Sequence, residues 1–162
     1  MKKYIVIYNK NSRGKTYSKL DLEMIFSSHD LDSKIFVTNE IKQVDKIFKN
    51  FKNSKDYVYC AIGGDGTLNS LINALLGNNI NNPEVACIAS GSGSDFMRTF
   101  AMPVDIHQAI SRIKNNQNYS IDASFVESKT KSRYFINVLN YGFLAETVNL
   151  SEKLPNIFKR FR

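Results

Sequence analysis

Long hydrophobic runs are absent from this sequence of 162 residues, although 43% of its residues are hydrophobic. The longest uninterrupted apolar run, at 57–62, has six residues, whereas a membrane-spanning helix needs about 18 or more. The apolar stretch after Met1-Lys2-Lys3 is shorter than the core of a secretory signal, which runs to about 7–15 residues. We therefore expect a soluble chain, with a strand as its first apolar stretch.

Cysteine and histidine are scarce, with two residues of each. Cys60 and Cys87 each lie inside an apolar strand-like run, so we expect buried thiols rather than a disulfide or a metal pair. His29 and His107 have no cysteine or carboxylate at metal-ligand spacing, and we expect both to be isolated residues on surface helices. These patterns predict no zinc site and fit a reducing cytoplasm.

Negative charge is in the minority, since 22 Lys and Arg residues face 15 Asp and Glu residues, for a formal net charge of +7. This balance favours an anionic partner, and a nucleotide, a nucleic acid or an acidic lipid surface would each fit it. No nucleic-acid motif accompanies the charge, so we expect no nucleic-acid partner. The basic end at 159–162 is either a solvated helix face or a membrane-surface anchor.

Strand-like runs alternate with helical patterns over the first 115 residues, which is typical of βαβ units around a parallel sheet. The run at 57–62 is apolar throughout, as in a strand covered on both faces, and the run at 83–89 is predicted to be a further buried strand. The first helix is predicted from Leu20, Met24 and Ile25. The fold class is therefore α/β, with a three-layer parallel-sheet unit suited to a nucleotide. Strands are predicted at 3–8, 33–38, 57–62 and 83–89, and helices at 16–28, 40–51, 67–76, 95–100 and 104–114.

A polar stretch, Asn115-Asn116-Gln117-Asn118, marks a predicted domain boundary between residues 1–117 and 118–162. Two strand signals follow, at 119–127 and 133–139, and the polar turn between them predicts an antiparallel hairpin. The last stretch, 144–161, is predicted to be helical except at its proline. So short a stretch rarely builds a core alone, and we expect an incomplete β-rich domain.

The sequence Gly63-Gly64-Asp65-Gly66-Thr67 stands directly after a predicted buried strand and before a helix. Glycines let the backbone turn with positive φ and approach a ligand closely, and a helix start offers N–H groups to phosphate. Thr67 is placed to donate its hydroxyl or to cap the helix. Because an acid beside phosphate needs an offsetting cation, we expect Mg²⁺ at Asp65. The alternative is a tight turn that leaves Asp65 exposed.

A second loop, Gly91-Ser92-Gly93-Ser94-Asp95, follows the next strand and also opens a helix. Ligands of open α/β sheets bind beyond the carboxyl ends of the strands, so both loops are expected to line one crevice. Asp95 is equally well explained as a helix N-cap. Thr38 ends the second strand at the same edge, where its hydroxyl either reaches the ligand or simply ends the strand.

Two familiar nucleotide motifs are incomplete. The loop after the first strand ends in Gly14-Lys15-Thr16 like a Walker A loop, but Asn9 stands where the first glycine of that motif belongs. This excludes a P-loop NTPase and leaves a basic polar loop that helps to hold phosphate. Phe96 replaces the third glycine of the dinucleotide-binding pattern that begins at Gly91, which argues against a Rossmann oxidoreductase.

The two glycine loops, with the run that ends at Pro103, resemble the diacylglycerol kinase catalytic-domain family, which includes sphingosine kinases and bacterial lipid kinases. Residues 135–138 and 142–143 resemble the opening of its second, β-rich domain, so the likeness covers nearly the whole chain. It implies ATP and Mg²⁺ as cofactors and transfer of the γ-phosphoryl group to a lipid hydroxyl, as on diacylglycerol. It also implies a cytoplasmic protein at the inner face of an anionic membrane.

The ATP-binding positions of that family carry over to this sequence residue by residue. Lys10, Ser70 and Ser94 stand where the family usually has Pro, Glu and Asn, so contacts around the phosphates are expected to differ. The matching residues are Asn9, Lys10, Asn11, Ser12, Arg13, Thr38, Gly63, Gly64, Asp65, Gly66, Thr67, Leu68, Asn69 and Ser92.

The family's second domain extends well beyond this chain and carries the catalytic acid and further Mg²⁺ ligands. The likeness therefore implies a truncated chain that binds nucleotide with little or no turnover, and that pairs or aggregates through exposed strands at 119–141. An NAD kinase, which shares the Gly-Gly-Asp-Gly-Thr loop, and an inactive nucleotide-binding module stay open as alternatives. The run at 98–103 favours the lipid kinase over the NAD kinase.

Overall fold

A computed structural model describes residues 2–12, 14–40, 42–49, 51, 55–90, 94–115, 118–139, 145–147 and 150. Strands and helices alternate along the first 115 residues, as the sequence predicts. The helix expected at 144–161 lies largely outside the described residues. The strands are β1 (Lys3–Asn9), β2 (Ser33–Thr38), β3 (Tyr57–Gly63), β4 (Glu84–Ala89), β5 (Ser124–Glu127) and β6 (Ser132–Phe135). The helices are α1 (Lys19–Ser28), α2 (Lys42–Phe48), α3 (Asp65–Gly77), α4 (Asp95–Thr99) and α5 (Ile106–Lys114).

Four parallel strands form a sheet in the order β2-β1-β3-β4. In the central strand β1, Val6 lies opposite Ile35 of β2 on one side and opposite Cys60 of β3 on the other. Alternate side chains point to opposite faces of a strand, so Val6 packs with α1 and α5 while Ile7 packs with α2 and α3. The three-layer α/β fold is thereby confirmed.

The position of a strand in the sheet decides how far it is buried. β3 has a strand on each side, and five consecutive residues from Val58 to Ile62 are at most 2% exposed. β4 stands at the edge of the sheet, where Val85 and Cys87 are only half-buried. The prediction of a buried strand is therefore correct for β3 and only partly correct for β4, where Ala86 and Ile88 are buried, because an apolar run alone does not reveal how many neighbours a strand has.

α1 begins at Lys19, later than the sequence predicts, because Ser18 caps it. The Ser18 hydroxyl accepts the Asp21 N–H, and the Asp21 carboxylate accepts the Ser18 N–H. This bond from the Ser18 N–H, together with the hydroxyl contact, lowers the pKa of Asp21 below its ordinary value. The apolar residues behind the prediction lie mostly outside, since Leu20 is 64% and Met24 63% exposed. Leu22 and Phe26 form the buried face instead, with Ile25 partly buried beside them.

The final described strands, β5 and β6, form the expected antiparallel hairpin, with Phe125 opposite Tyr134. Both strands are shorter than predicted, since 119–123 and 136–139 lie outside them. Tyr134 and Ile136 pack against the core on the α2 and α3 side of the sheet. The division of the chain at residue 117 stays a prediction. Among the helices in the described part of the chain, none is long and apolar enough to cross a bilayer.

Candidate nucleotide-binding site

The carboxyl ends of the four parallel strands bring the predicted loops to one edge of the sheet. The loop after β1 reaches the end of β4, where the Ser12 hydroxyl donates to the Ser90 carbonyl at 3.2 Å and lies 3.1 Å from the Ser90 hydroxyl. The Ser90 N–H in turn donates to the carbonyl of Gly63 at the end of β3. Arg13 and Ser92 lie outside the described residues, so their binding roles remain predictions.

Asn9 organises the loop after β1. Its side-chain oxygen accepts the Asn11 N–H at 3.0 Å, and its amide nitrogen lies 3.4 Å from the Thr67 hydroxyl oxygen. The Asn11 amide donates to the Asn39 carbonyl at 2.9 Å, and the Lys10 N–H donates to the Thr38 carbonyl at 3.0 Å. An asparagine at the position of the missing Walker glycine thus ties the β1 loop to α3, while the Lys10 side chain stays exposed.

Thr38 is buried at the end of β2, with 2% of its surface exposed. Its hydroxyl donates to the carbonyl of Tyr8 on the neighbouring strand at 3.3 Å. This bond supports the structural role that the sequence offered as the alternative to ligand binding.

The three glycines around Asp65 do not serve the turn in the expected way. Gly64 is extended, with φ −102° and ψ −171°, and neither Gly63 nor Gly66 has a left-handed φ, so the expectation of positive φ is wrong here. At Gly63 the constraint is contact, because a Cβ would lie 2.3 Å from the Thr67 hydroxyl oxygen. At Gly66 an added Cβ would meet no atom within 4 Å, and this exposed residue leaves the backbone open to a ligand.

α3 starts at Asp65, two residues earlier than predicted, and it continues through Gly77. Gly77 is therefore the last helical residue and not the residue after the helix. Gly64 is the N-cap and, being glycine, has no side chain that could accept a capping bond. Thr67 is a buried first-turn residue whose hydroxyl lies against Asn9 and does not cap the helix. The Thr67 and Leu68 N–H groups already donate to the Gly64 carbonyl, so the turn presents the N–H groups of Asp65 and Gly66 and a positive dipole end to the crevice.

Asp65 has a role that the sequence analysis missed. Its two carboxylate oxygens accept the N–H groups of Asp95 at 2.9 Å and Phe96 at 3.2 Å. It therefore caps the start of α4, and it is half-buried rather than exposed. Asp95 is the first residue of α4 and pairs with Arg98, so the suggestion that Asp95 is the N-cap is wrong. The sequence did contain a signal for this role, because an acidic residue follows one predicted parallel strand and a helix begins after the next strand.

The donor atoms at this turn suit a magnesium ion that arrives with phosphate. No three Asp, Glu, His or Cys side chains come together anywhere in the described part of the chain, but Mg²⁺ often uses one or two carboxylates, phosphate oxygens and water. Each Asp65 oxygen accepts one of the two bonds described above and has a further lone pair. The side-chain oxygen of Asn69, one helical turn later, is buried without a hydrogen-bond partner.

The two cysteines and the two histidines are not among these donor residues. Both cysteines are free thiols, and Cys60 is buried as expected, whereas Cys87 is only half-buried. Burial raises the pKa of the Cys60 thiol far above its usual range and that of Cys87 to about 11. The histidines are not isolated as predicted, because the His29 Nε2 atom lies 3.1 Å from the His107 Nδ1 atom. This contact joins the end of α1 to α5, a pairing that residue spacing cannot reveal.

Comparison with known proteins assigns this arrangement to a family. The model of the diacylglycerol kinase catalytic domain matches residues 3–126, which include every candidate site residue. The chain belongs to the diacylglycerol kinase catalytic domain family. The resemblance inferred from the two glycine loops is thereby confirmed, and the NAD kinase alternative is not favoured.

Relatives within the diacylglycerol kinase family show how much of such a protein the chain represents. It is 28% identical to a diacylglycerol kinase of Staphylococcus saprophyticus over 160 residues, which is 96% of this chain and 50% of that protein. A diacylglycerol kinase of Staphylococcus aureus strain Newman is also 28% identical, with 49% of its length covered. A crystal structure of a diacylglycerol kinase from Bacillus anthracis matches with a TM-score of 0.59 and 26% identity, over 75% of this chain and 42% of that one. The chain spans about half the length of the curated relatives it matches.

Proposed function

We propose that this chain is the ATP-binding part of a diacylglycerol kinase-type lipid kinase, which transfers the γ-phosphoryl group of ATP to a lipid hydroxyl such as that of diacylglycerol. The observation that carries the proposal is the first turn of α3, at the carboxyl edge of the sheet. This turn begins with Asp65 and contacts Asn9 of the β1 loop through Thr67. Membership of the diacylglycerol kinase family supports this assignment and not a generic phosphate site.

The residues of the chain would bind ATP through its phosphates. N–H groups of the first turn of α3 donate to phosphate oxygens, and Gly66 lets the phosphate approach the backbone closely. Asn9 and Ser12 hold the β1 loop beside this turn, so that the exposed Lys10 adds positive charge to the crevice. Mg²⁺, when bound with ATP, would neutralise charge on the β- and γ-phosphates, and Asp65 with Asn69 would hold it.

Phosphoryl transfer also needs a group that orients or deprotonates the acceptor hydroxyl. The resemblance to the family places that group in its second domain, and this chain spans about half the length of the curated relatives it matches. Loss of a general base typically lowers a rate by about 10²–10⁴-fold. For these 162 residues by themselves we therefore propose nucleotide binding with little or no turnover.

The surface of the chain supports two further parts of the proposal. The net charge of +7 favours peripheral attachment to an anionic membrane surface on the cytoplasmic side, weakened by salt. The hairpin exposes 52% of Phe125 and the segment after it exposes 70% of Val138. Apolar strand surface of this kind favours pairing with a second copy of the chain.

Two glycine substitutions in α3 test the binding site. An added Cβ at Gly66 or at Gly77 meets no atom within 4 Å, so neither Gly66→Ala nor Gly77→Ala should disturb the fold. Only Gly66 lies at the phosphate-facing turn. Calorimetric titration with MgATP should show binding by the wild type and by Gly77→Ala, and affinity lower by about tenfold or more in Gly66→Ala, because the methyl group displaces a charge-assisted N–H bond. A wild type that binds no MgATP, or equal affinity in all three proteins, would contradict the proposal.

A further inference from the structure

The side chain of Asn73 joins α3 to the hairpin. Its amide nitrogen donates to the carbonyl of Tyr134 at 2.8 Å, and its oxygen accepts the Tyr134 N–H at 2.9 Å. The same nitrogen donates to the carbonyl of Asn69, one turn back in α3, at 2.7 Å. An asparagine amide has two N–H donors and one oxygen acceptor, so every donor and the acceptor are in use.

This pair of bonds takes the place of a neighbouring strand. A residue of an antiparallel strand either exchanges both backbone bonds with its opposite residue or points both groups away from it. Tyr134 lies opposite Phe125 of β5, and both its backbone N–H and its carbonyl are hydrogen-bonded to the Asn73 side chain instead. The Asn73 amide therefore satisfies the outward-facing backbone groups of β6 at one residue, Tyr134. Loss of the amide would leave the N–H and the carbonyl of Tyr134 without these partners in a half-buried contact.

The segment that follows Tyr134 lies over the proposed phosphate-facing turn. A cavity of about 220 Å³ has residues 135–138 in its wall, together with Asp65, Gly66 and Asn69 from the start of α3. Asn69, which lines this cavity one helical turn after Asp65, carries the unpartnered side-chain oxygen. Asn73 is thus bonded both to Tyr134, in the strand that leads into residues 135–138, and to the backbone of Asn69 in α3.

We propose that Asn73 is a positioning residue, which holds residues 135–138 against the first turn of α3 so that a ligand at that turn is coupled to the hairpin. The ligand half of this inference rests on the proposed nucleotide site, whereas the tether itself does not. The amide acts through backbone groups, so its effect is on the placement of the cavity wall and not on the phosphates directly.

Hydrogen exchange of the 162-residue chain, with and without MgATP, tests both the tether and its coupling to the ligand. Asn73→Ala should speed exchange at 132–138 by about tenfold or more without ligand, because the Tyr134 N–H loses its acceptor. The matched control is Asn78→Ala at the end of the same helix, where the amide donates only within the helix, to the Ala74 carbonyl. Asn78→Ala should leave exchange at 132–138 unchanged.

Addition of MgATP separates positioning from a merely structural bond. In the wild type we expect the nucleotide to slow exchange both at 63–69 and at 135–138, whereas in Asn73→Ala it should slow exchange only at 63–69. Asn73→Asp keeps the acceptor for the Tyr134 N–H and loses the donor to its carbonyl, so its effects should be intermediate.

Unchanged exchange at 132–138 in Asn73→Ala would refute the tether. Faster exchange there, with nucleotide protection of 135–138 fully retained, would refute the coupling. A wild type that shows no protection at 63–69 would overturn the proposed nucleotide site and the coupling with it, while the ligand-free comparison would still decide the tether.

Discussion

The α/β unit and the β5–β6 hairpin are both built from apolar strand-forming residues, yet their burial differs sharply. In β1 the residues Ile5, Val6 and Ile7 are at most 1% exposed, whereas in β5 Phe125 is 52% exposed. β1 has a strand on each side and helices on both faces. The hairpin has one partner surface, the α3 side of the core, which Tyr134 and Ile136 contact. Burial is therefore set by the layers around a strand and not by the strand's own composition.

The largest expected difference is between two phenylalanine truncations. Phe48→Ala removes a fully buried ring that packs edge-on against Tyr59, with centroids 5.6 Å apart. It should lower the free energy of unfolding by about 3–5 kcal/mol. Phe125→Ala removes a half-exposed ring from the hairpin and should cost less than about 1 kcal/mol. Urea unfolding followed by circular dichroism measures both, and equal losses would break the comparison.

A smaller effect is expected from a methyl group added at Gly63, where the α/β unit is tightly packed. In Gly63→Ala the new Cβ would lie 2.3 Å from the Thr67 hydroxyl oxygen and 2.6 Å from its Cβ. The start of α3 must then shift, at a cost of about 1–3 kcal/mol. Gly77→Ala, where the added Cβ meets open space, should be neutral or stabilising by up to about 1 kcal/mol. Thermal unfolding that ranks Gly77→Ala as the less stable variant would be inconsistent with this packing.

The smallest effect concerns two hydroxyl groups on neighbouring buried strands. The Tyr8 hydroxyl accepts the Tyr17 N–H at 3.0 Å, so Tyr8→Phe should lower the free energy of unfolding by about 1 kcal/mol. The Tyr59 hydroxyl is buried without a partner, so Tyr59→Phe should be neutral or stabilising. Chemical denaturation of the two variants under one set of conditions gives the comparison. A larger loss in Tyr59→Phe than in Tyr8→Phe would mean that the Tyr59 hydroxyl has a partner after all.

Helix and strand types were well predicted from the sequence, but helix faces and ends were less so. Ser33–Thr38 agrees with the prediction residue for residue, because a short apolar run between polar turns has one plausible register. The buried face of α1 was missed, since Leu20 and Met24 compete with Leu22 and Phe26 for the core, and only packing against β1 and β2 selects the second pair. The early start of α3 was missed because glycine is a poor helix former, a preference that tertiary contacts override.

The candidate site divides in the same way. The glycine loop, its position between a strand and a helix, and the family were evident from local sequence, while the ATP-binding roles of the matching residues stay predictions. The capping of α4 by Asp65 and the bonds of Asn73 to Tyr134 were not, since they join residues 30 and 61 positions apart in the chain. Such pairings depend on which strands are neighbours.

The sequence by itself determined the alternation of strands and helices, the α/β class and the position of the glycine loop between a strand and a helix, because periodicity, glycine spacing and apolar runs act over a few residues. Only the tertiary structure decided that β4 is an edge strand, that a side chain at position 63 would clash with Thr67, and that one asparagine holds the hairpin to α3. Those features come from contacts between segments distant in the chain, and their geometry exists only once the sheet has assembled.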